Sequence, residues 1–197
     1  MTSRWRLTAA LLTGWHVLPV ALGLTATTVT VATLPPLVNL PTVMALDQVV
    51  SPPATIAGLL VALLAVTTGD EPSTKLLATA PRTRIRLNIT RVVVAAAIGV
   101  AALVMTAGAP LTAMLTVTSA LVGEALAVAG VLGLRHAWVL PTLHTLAALT
   151  LGAVNRTDLA AWAWILSPQS ATSGVVTSTA LLLAGALMWT ARLHRDL

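Results

Sequence analysis

Two ionisable side chains, Glu124 and His144, lie within long apolar stretches of the chain, where a charge is costly. Glu124 stands in the run SALVGEALAVAG, and His144 lies within residues 137–154. A carboxylate at the centre of a membrane costs about 2.5–3.5 kcal/mol on insertion scales, so Glu124 should face protein or water. A substrate or subunit contact and a hydrogen-bonded packing role are equally open for Glu124. For His144, as for His16, a packing hydrogen bond is the simpler interpretation.

The sequence lacks the motifs of the common catalytic sites. It has no cysteine, which excludes disulfides, thiolate metal sites and cysteine nucleophiles. It contains neither G-x-S-x-G nor H-E-x-x-H, and no group of three metal ligands is apparent. We therefore expect no enzymatic activity and no metal, and an intramembrane enzyme remains a minor alternative.

The composition is that of a membrane protein. Hydrophobic residues make up 57% of the 197 positions and charged residues only 9%, against roughly a quarter charged in soluble domains. Too few polar side chains are present to cover a water-facing surface, so most of the surface should face lipid. The net charge of +5 is better explained by basic membrane loops than by nucleic acid binding.

Six apolar stretches are candidate membrane spans, since a spanning helix needs about 20 apolar residues. The sequence therefore predicts a single all-α polytopic domain over residues 1–197, with the first stretch retained rather than cleaved as a signal peptide. The predicted spans are residues 15–33, 53–69, 92–108, 111–134, 137–154 and 171–191.

The basic residues define an orientation for this topology. If the six spans alternate and both termini are cytoplasmic, ten of the eleven basic residues fall on the cytoplasmic side and only Arg156 falls outside. Such a bias is typical of membrane proteins, whose cytoplasmic loops are rich in Lys and Arg. The cytoplasmic set is Arg4, Arg6, Lys75, Arg82, Arg84, Arg86, Arg91, Arg135, Arg192 and Arg195.

Two outer segments are more than plain loops. Residues 34–52 are rich in proline yet apolar, and should lie along the outer interface or dip back into the protein. Residues 155–168 can form a short helix that carries Trp162 and Trp164. These tryptophans are either anchors at headgroup depth, where Trp is enriched, or parts of an outer gate between the last two spans.

The longest cytoplasmic segment, residues 69–91, has an ordered pattern. An acidic pair is followed by a short amphipathic helix over 73–80, then Pro81, and then a basic run that leads into the third span. Contact with anionic lipid explains the arginines but not this order.

In that order, the segment resembles the permease subunits of type-two ABC exporters, a class that includes bacterial permeases for drugs and peptide antibiotics. In that family, a coupling helix lies between spans two and three. An amphipathic helix also precedes span one, as residues 2–13 do here, and a short outer helix lies between spans five and six, as at 157–166. The residues that carry the resemblance are Glu71, Thr74, Leu76, Leu77, Thr79, Pro81, Arg82, Arg84, Arg86 and Arg91.

The resemblance implies an ATP-driven exporter subunit in the bacterial cytoplasmic membrane. The chain has no G-x-x-x-x-G-K-[ST] loop, so ATP and Mg²⁺ would bind to a separate ATPase subunit. The 73–80 helix would seat in a groove of that partner, and two permease subunits, identical or different, would enclose the transport pathway.

Two other classes remain open. A substrate-binding subunit of a vitamin-type importer has a similar size and number of spans, but does not need the 69–91 segment to contact an ATPase. A membrane immunity or assembly protein with no transport activity of its own is the third possibility. Neither the substrate nor the direction of transport is specified by these residues.

Overall fold

The computed structural model describes residue 23 and residues 52–68, 81–107, 111–152, 154, 159–166 and 172–195. Nearly all of them are helical and none lies in a β-strand, which confirms the predicted all-α class. The side chains of residues 81–88, and a few at other helix ends, lie outside this description.

Five α-helices form this part of the chain: α1 (Pro52–Thr67), α2 (Pro81–Ala107), α3 (Leu111–Leu132), α4 (Val139–Leu151) and α5 (Thr172–Arg195). Two 3₁₀ helices, Leu134–His136 and Ala161–Leu166, precede and follow α4. The helices α1 and α2 both begin with proline, which is tolerated in the first turn because the missing N–H has no partner there.

The helix α3 is the centre of the bundle. It packs along α5 over most of its length and also contacts α1, α2 and α4. Its inner face joins those of α1, α2 and α5 in one apolar core that contains Leu121, Leu126 and the fully buried Trp189. Another apolar cluster joins α4 to the following 3₁₀ helix. Its buried members are Ala148, Leu149, Ala163, Ile165 and Leu166.

Glycines allow α3 and α5 to approach closely. Gly123 lies against the backbone of Leu181 and Leu182, and Gly185 lies against the carbonyl oxygen of Gly123. Small residues at a helix interface permit such contact between backbones. At the end of α3, Gly133 has a φ of 97° and a ψ of 159°, a combination that essentially only glycine adopts.

The outward face of the bundle carries many large apolar side chains. On α5, Val176, Leu183 and Leu187 are each at least 60% exposed, and on α4 Leu143 and Leu146 are also exposed. Two helices, Leu111–Leu132 and the Gly174–Arg195 part of α5, are long and apolar enough to cross a membrane. Thr55–Thr67 and Ile89–Ala101 are shorter apolar helices.

The basic run before the third predicted span is itself helical. The prediction placed that span at 92–108, whereas α2 begins at Pro81 and continues to Ala107 without interruption. No glycine or proline occurs between residues 82 and 98, and arginine favours helix, so nothing breaks the helix at the change from basic to apolar residues. The 27 residues of α2 give a rod about 40 Å long.

The helix α4 is shorter than the predicted span 137–154. Its 13 residues extend about 20 Å, less than the roughly 30 Å of a hydrocarbon core. After Gly152 the chain turns back, and the Ala160 N–H donates to the Gly152 carbonyl at 2.8 Å. Residues 159–166, which we call the return segment, then pack against α4 rather than continuing away from it.

Several predicted elements lie outside the described residues. These are the amphipathic helix at 2–13, the outer segment at 34–51, the coupling helix at 73–80 and residues 155–158. Of the first predicted span, 15–33, only the helical residue Gly23 is described, and it lies beside the Leu64 side chain of α1.

Candidate functional site

A buried carboxyl group marks the centre of the bundle. Glu124 lies midway along α3 and is only 5% exposed. Its neighbours Gly123 and Ala125 are also buried, since this part of α3 is enclosed by other helices on most sides. The α3 sequence is otherwise apolar here, so the partner of the carboxyl group has to come from another helix.

That partner is His144 of α4. Its Nδ1 lies 2.6 Å from Glu124 Oε1, a short distance that is typical of charge-assisted hydrogen bonds. Glu124 and His144 are 20 residues apart, and the turn formed by Gly133 and Leu134–His136 returns the chain so that α4 packs beside α3. The two polar residues singled out within the apolar stretches therefore form one pair.

The other nitrogen of His144 is also engaged. Nε2 lies 2.9 Å from the backbone carbonyl oxygen of Trp162, in the return segment. The Trp162 ring is tilted by 44° to the imidazole with the ring centroids 6.5 Å apart, and it remains 44% exposed. The contact thus uses the backbone of Trp162 and leaves its indole on the surface.

The two contacts of His144 determine how many hydrogens the imidazole and the Glu124 carboxyl group must carry together. A carbonyl only accepts, so Nε2 must carry a hydrogen. Between Nδ1 and Oε1 a single further hydrogen is needed, and it belongs either to the imidazolium or to the carboxylic acid. The arrangement therefore binds one proton, shared by the pair, in addition to the hydrogen on Nε2.

The second carboxyl oxygen of Glu124 has no hydrogen-bond partner among the described residues. This atom, Oε2, is buried, and burying an unpaired polar atom costs free energy. Within the described structure, Oε2 is therefore a buried acceptor to which no donor is bound.

The return segment is fixed at several other points. The Ile165 carbonyl accepts a hydrogen bond from Thr55 Oγ1 of α1 at 3.0 Å, and Ile165 and Leu166 are fully buried. The Trp164 ring lies over Gly174 of α5. His144 stands seven residues before the end of α4, about 10 Å along the helix axis. The segment consequently lies alongside the C-terminal half of α4.

The predicted pair Trp162 and Trp164 occupies two different environments. Trp162 points outward, whereas Trp164 is half-buried and contacts α5. A short helix was predicted at 157–166, and the described part, Ala161–Leu166, is a kinked 3₁₀ helix. The structure brings Glu124, His144 and Trp162 together and leaves Trp164 in a packing contact nearby.

The predicted ATPase-coupling residues are only partly described. Glu71, Thr74, Leu76 and Leu77 lie outside the described residues. Pro81 is the first residue of α2, and Arg82 and Arg84 follow in its first turn, with only their backbone described. Their role in coupling stays a prediction.

The backbone carbonyl of Trp162 and the hydroxyl of Thr55 are contacts that the sequence did not predict. The sequence contains no signal for them, because every residue has a backbone carbonyl and Thr55 is one of many threonines. Among the described residues, no group of three His, Asp or Glu side chains is placed to hold a metal ion.

Comparison with known proteins finds no matching family model, no matching curated protein and no matching solved structure.

Proposed function

We propose that the chain is the permease subunit of an ATP-driven exporter, which crosses the bacterial cytoplasmic membrane six times with both termini inside. Two helices long and apolar enough to span a membrane support the membrane location. The exposed apolar side chains of α4 and α5 support it too, since patches of this kind mark a lipid-facing or binding surface.

The observation that carries the coupling proposal is the continuity of α2. This helix begins directly after the acidic and amphipathic residues 70–80 and runs unbroken through the basic run into the apolar core. At about 40 Å it exceeds the hydrocarbon thickness by about 10 Å. One rigid element therefore connects the proposed ATPase contact to the interior of the bundle.

In this proposal, ATP and Mg²⁺ bind to the separate ATPase subunit. Movement of that partner displaces the 73–80 helix, and α2 carries the displacement to α1 and α3, against which it packs. A second permease subunit completes the pathway. Amphipathic molecules such as drugs or peptide antibiotics are the substrate class that the family resemblance implies.

Co-expression with the ATPase encoded beside it tests the proposal. We expect a purified complex with two copies of each subunit and an ATPase rate that depends on the permease. A chain that remains monomeric and never co-purifies with the ATPase would contradict an exporter. A chain that binds a vitamin alone would support the importer class instead.

The contact itself is tested by Glu71→Ala and Leu77→Ala. Truncating an interface anchor costs at least about 2 kcal/mol, so the affinity for the ATPase should fall about 30-fold. Arg135→Ala, an exposed change in the turn between α3 and α4, is the matched control and should leave the affinity unchanged. Equal affinity of all three variants would refute the assigned contact.

A further inference from the structure

Hydrogen bonds join Glu124, His144 and Trp162 within this one chain. They are independent of the proposed contact with an ATPase. The imidazole contacts two acceptors, the Glu124 carboxyl on one side and the Trp162 carbonyl on the other, at 2.6 and 2.9 Å. Both contacts can be hydrogen bonds only if two hydrogens are available. A neutral imidazole has one N–H, so the second hydrogen is the proton bound by the pair.

We propose that Glu124 and His144 form a proton-binding site inside the bundle, and that its occupancy sets how firmly the return segment, residues 159–166, is held against α4. The contacts of Thr55 and Trp164 hold the segment in both protonation states. With the proton bound, Nε2–H donates to the Trp162 carbonyl and the second hydrogen joins Nδ1 to Oε1. When the proton leaves for water, one N–H remains for two acceptors. It goes to the carboxylate, because a charged acceptor forms the stronger bond, and the Trp162 carbonyl loses its donor.

Among the described residues, this pair is the ionisable group that contacts the return segment. The described parts of α1 and the return segment carry no ionisable residue. On α5, Arg192, His194 and Arg195 are confined to the last turn, where Arg192 Nη1 donates to the Val131 carbonyl, seven residues along α3 from Glu124.

The other ionisable side chains that the structure describes on neighbouring elements form no ion pair with Glu124. Arg91 of α2 is buried, but the ion pair that Glu124 forms within the described structure is with His144. Arg135 and His136 are exposed beyond the end of α3. The second indication of a ligand is Glu124 Oε2, which is buried and has no hydrogen-bond partner among the described residues, so that it can accept a proton or a water that moves to the pair.

The cysteine-free chain permits a direct test. Leu166→Cys places one thiol at a fully buried position of the return segment, and its reaction rate with N-ethylmaleimide is measured from acid to alkaline pH in purified protein in lipid nanodiscs. The same thiol is then placed in the Glu124→Gln background. The side-chain amide introduced by Glu124→Gln always has a hydrogen to donate to Nδ1, so that variant should keep the segment in place at every pH. The ratio of the two rates cancels the intrinsic pH dependence of the thiol.

The ratio should be near one in acid and should rise by at least about tenfold in alkali, the factor expected for the loss of one strong hydrogen bond. A ratio that stays near one would overturn the proposal. Fast labelling of the Glu124→Gln variant at every pH would also overturn the proposal, because a permanent donor to Nδ1 would then fail to hold the return segment.

A second reporter separates local release from unfolding. Ala129→Cys lies in the buried core shared by α3 and its neighbours, away from the return segment. Its rate ratio should stay constant while that of Leu166→Cys rises, and a parallel rise at both positions would overturn the proposal. The readout needs neither ATPase nor substrate, so its failure is distinguishable from failure of the proposed exporter function.

Discussion

At the scale of single residues, the site consists of polar atoms on otherwise apolar helices. Such atoms find hydrogen-bond partners mainly in the few other polar atoms of the bundle. Among the described residues, Glu124 has one hydrogen-bond partner, His144, and His144 has two, Glu124 and the Trp162 carbonyl. The sequence could show that both residues lie in apolar stretches. It could not show that they meet, since the spacing of 20 residues across a turn fits many helix pairings. The pairing is decided by the way α4 returns against α3.

The hydrogen bond between Thr55 and the return segment is a prediction at the same scale. Thr55→Val keeps the shape but removes the donor, leaving the buried Ile165 carbonyl without its bond from Oγ1. We expect a loss of about 1–3 kcal/mol in the free energy of unfolding, measured by thermal or denaturant unfolding in detergent. Thr55→Ser keeps the hydroxyl and should lose much less. Equal losses in both variants would show that this hydrogen bond contributes nothing.

At the scale of elements, the contact between α3 and α5 holds the bundle together. Gly185 touches the carbonyl oxygen of Gly123, so a Cβ atom at Gly185 would overlap the backbone of α3. At Gly174 of the same helix, the nearest atom to an added Cβ would be Trp164 Cε3 at 3.5 Å, an ordinary contact. Gly185 and Gly174 therefore serve as a test position and its control, since an added Cβ overlaps the backbone at the first and fits at the second.

Gly185→Ala should force the helices apart and cost about 1–3 kcal/mol, the usual range for overpacking. Gly174→Ala should be neutral or stabilising by up to about 1 kcal/mol, because alanine favours helix over glycine. Melting temperatures in detergent compare the two variants directly. If both changed the stability alike, the close approach of α3 and α5 would be wrong.

The rigidity of α2 leads to a prediction about coupling. Ile89 and Thr90 are exposed and directly precede Arg91, the last basic residue before the apolar part of the helix. Glycine at both positions weakens the helix by about 1 kcal/mol each relative to alanine, so it should reduce the dependence of the ATPase rate on the permease. The Ile89→Ala, Thr90→Ala double variant removes the same side chains and keeps the helix, and should retain that dependence. If the glycine and alanine variants behaved alike, α2 would not act as a rigid connector.

The elements themselves are partly predictable. Apolar length located the helices that became α1, α3 and α5 to within a few residues, because few other structures satisfy the backbone of such stretches in lipid. The helix α2 begins before the predicted span 92–108, because polarity changes at residue 92 but helix propensity does not. The helix α4 ends before the predicted span 137–154 does, since the return at Gly152 depends on packing against Ala163 and its neighbours.

At the scale of the whole molecule, the described helices form one bundle with α3 at its centre and an apolar exterior. The sequence predicts the side on which each loop lies, through the ten basic residues assigned to the cytoplasm and the one assigned outside. Residues 69–80 must be cytoplasmic for an ATPase to reach them, and Val154, at the turn after α4, must be outside. The proposed function depends on this orientation.

Site-specific labelling in intact bacteria tests that orientation most directly. Single variants Lys75→Cys and Val154→Cys of the cysteine-free chain are treated with a membrane-impermeant maleimide. We expect Val154→Cys to react in intact cells and Lys75→Cys to react only after the membrane is permeabilised. Reaction of Lys75→Cys from outside, or of both variants from the same side, would contradict the six-span topology and the exporter function built on it.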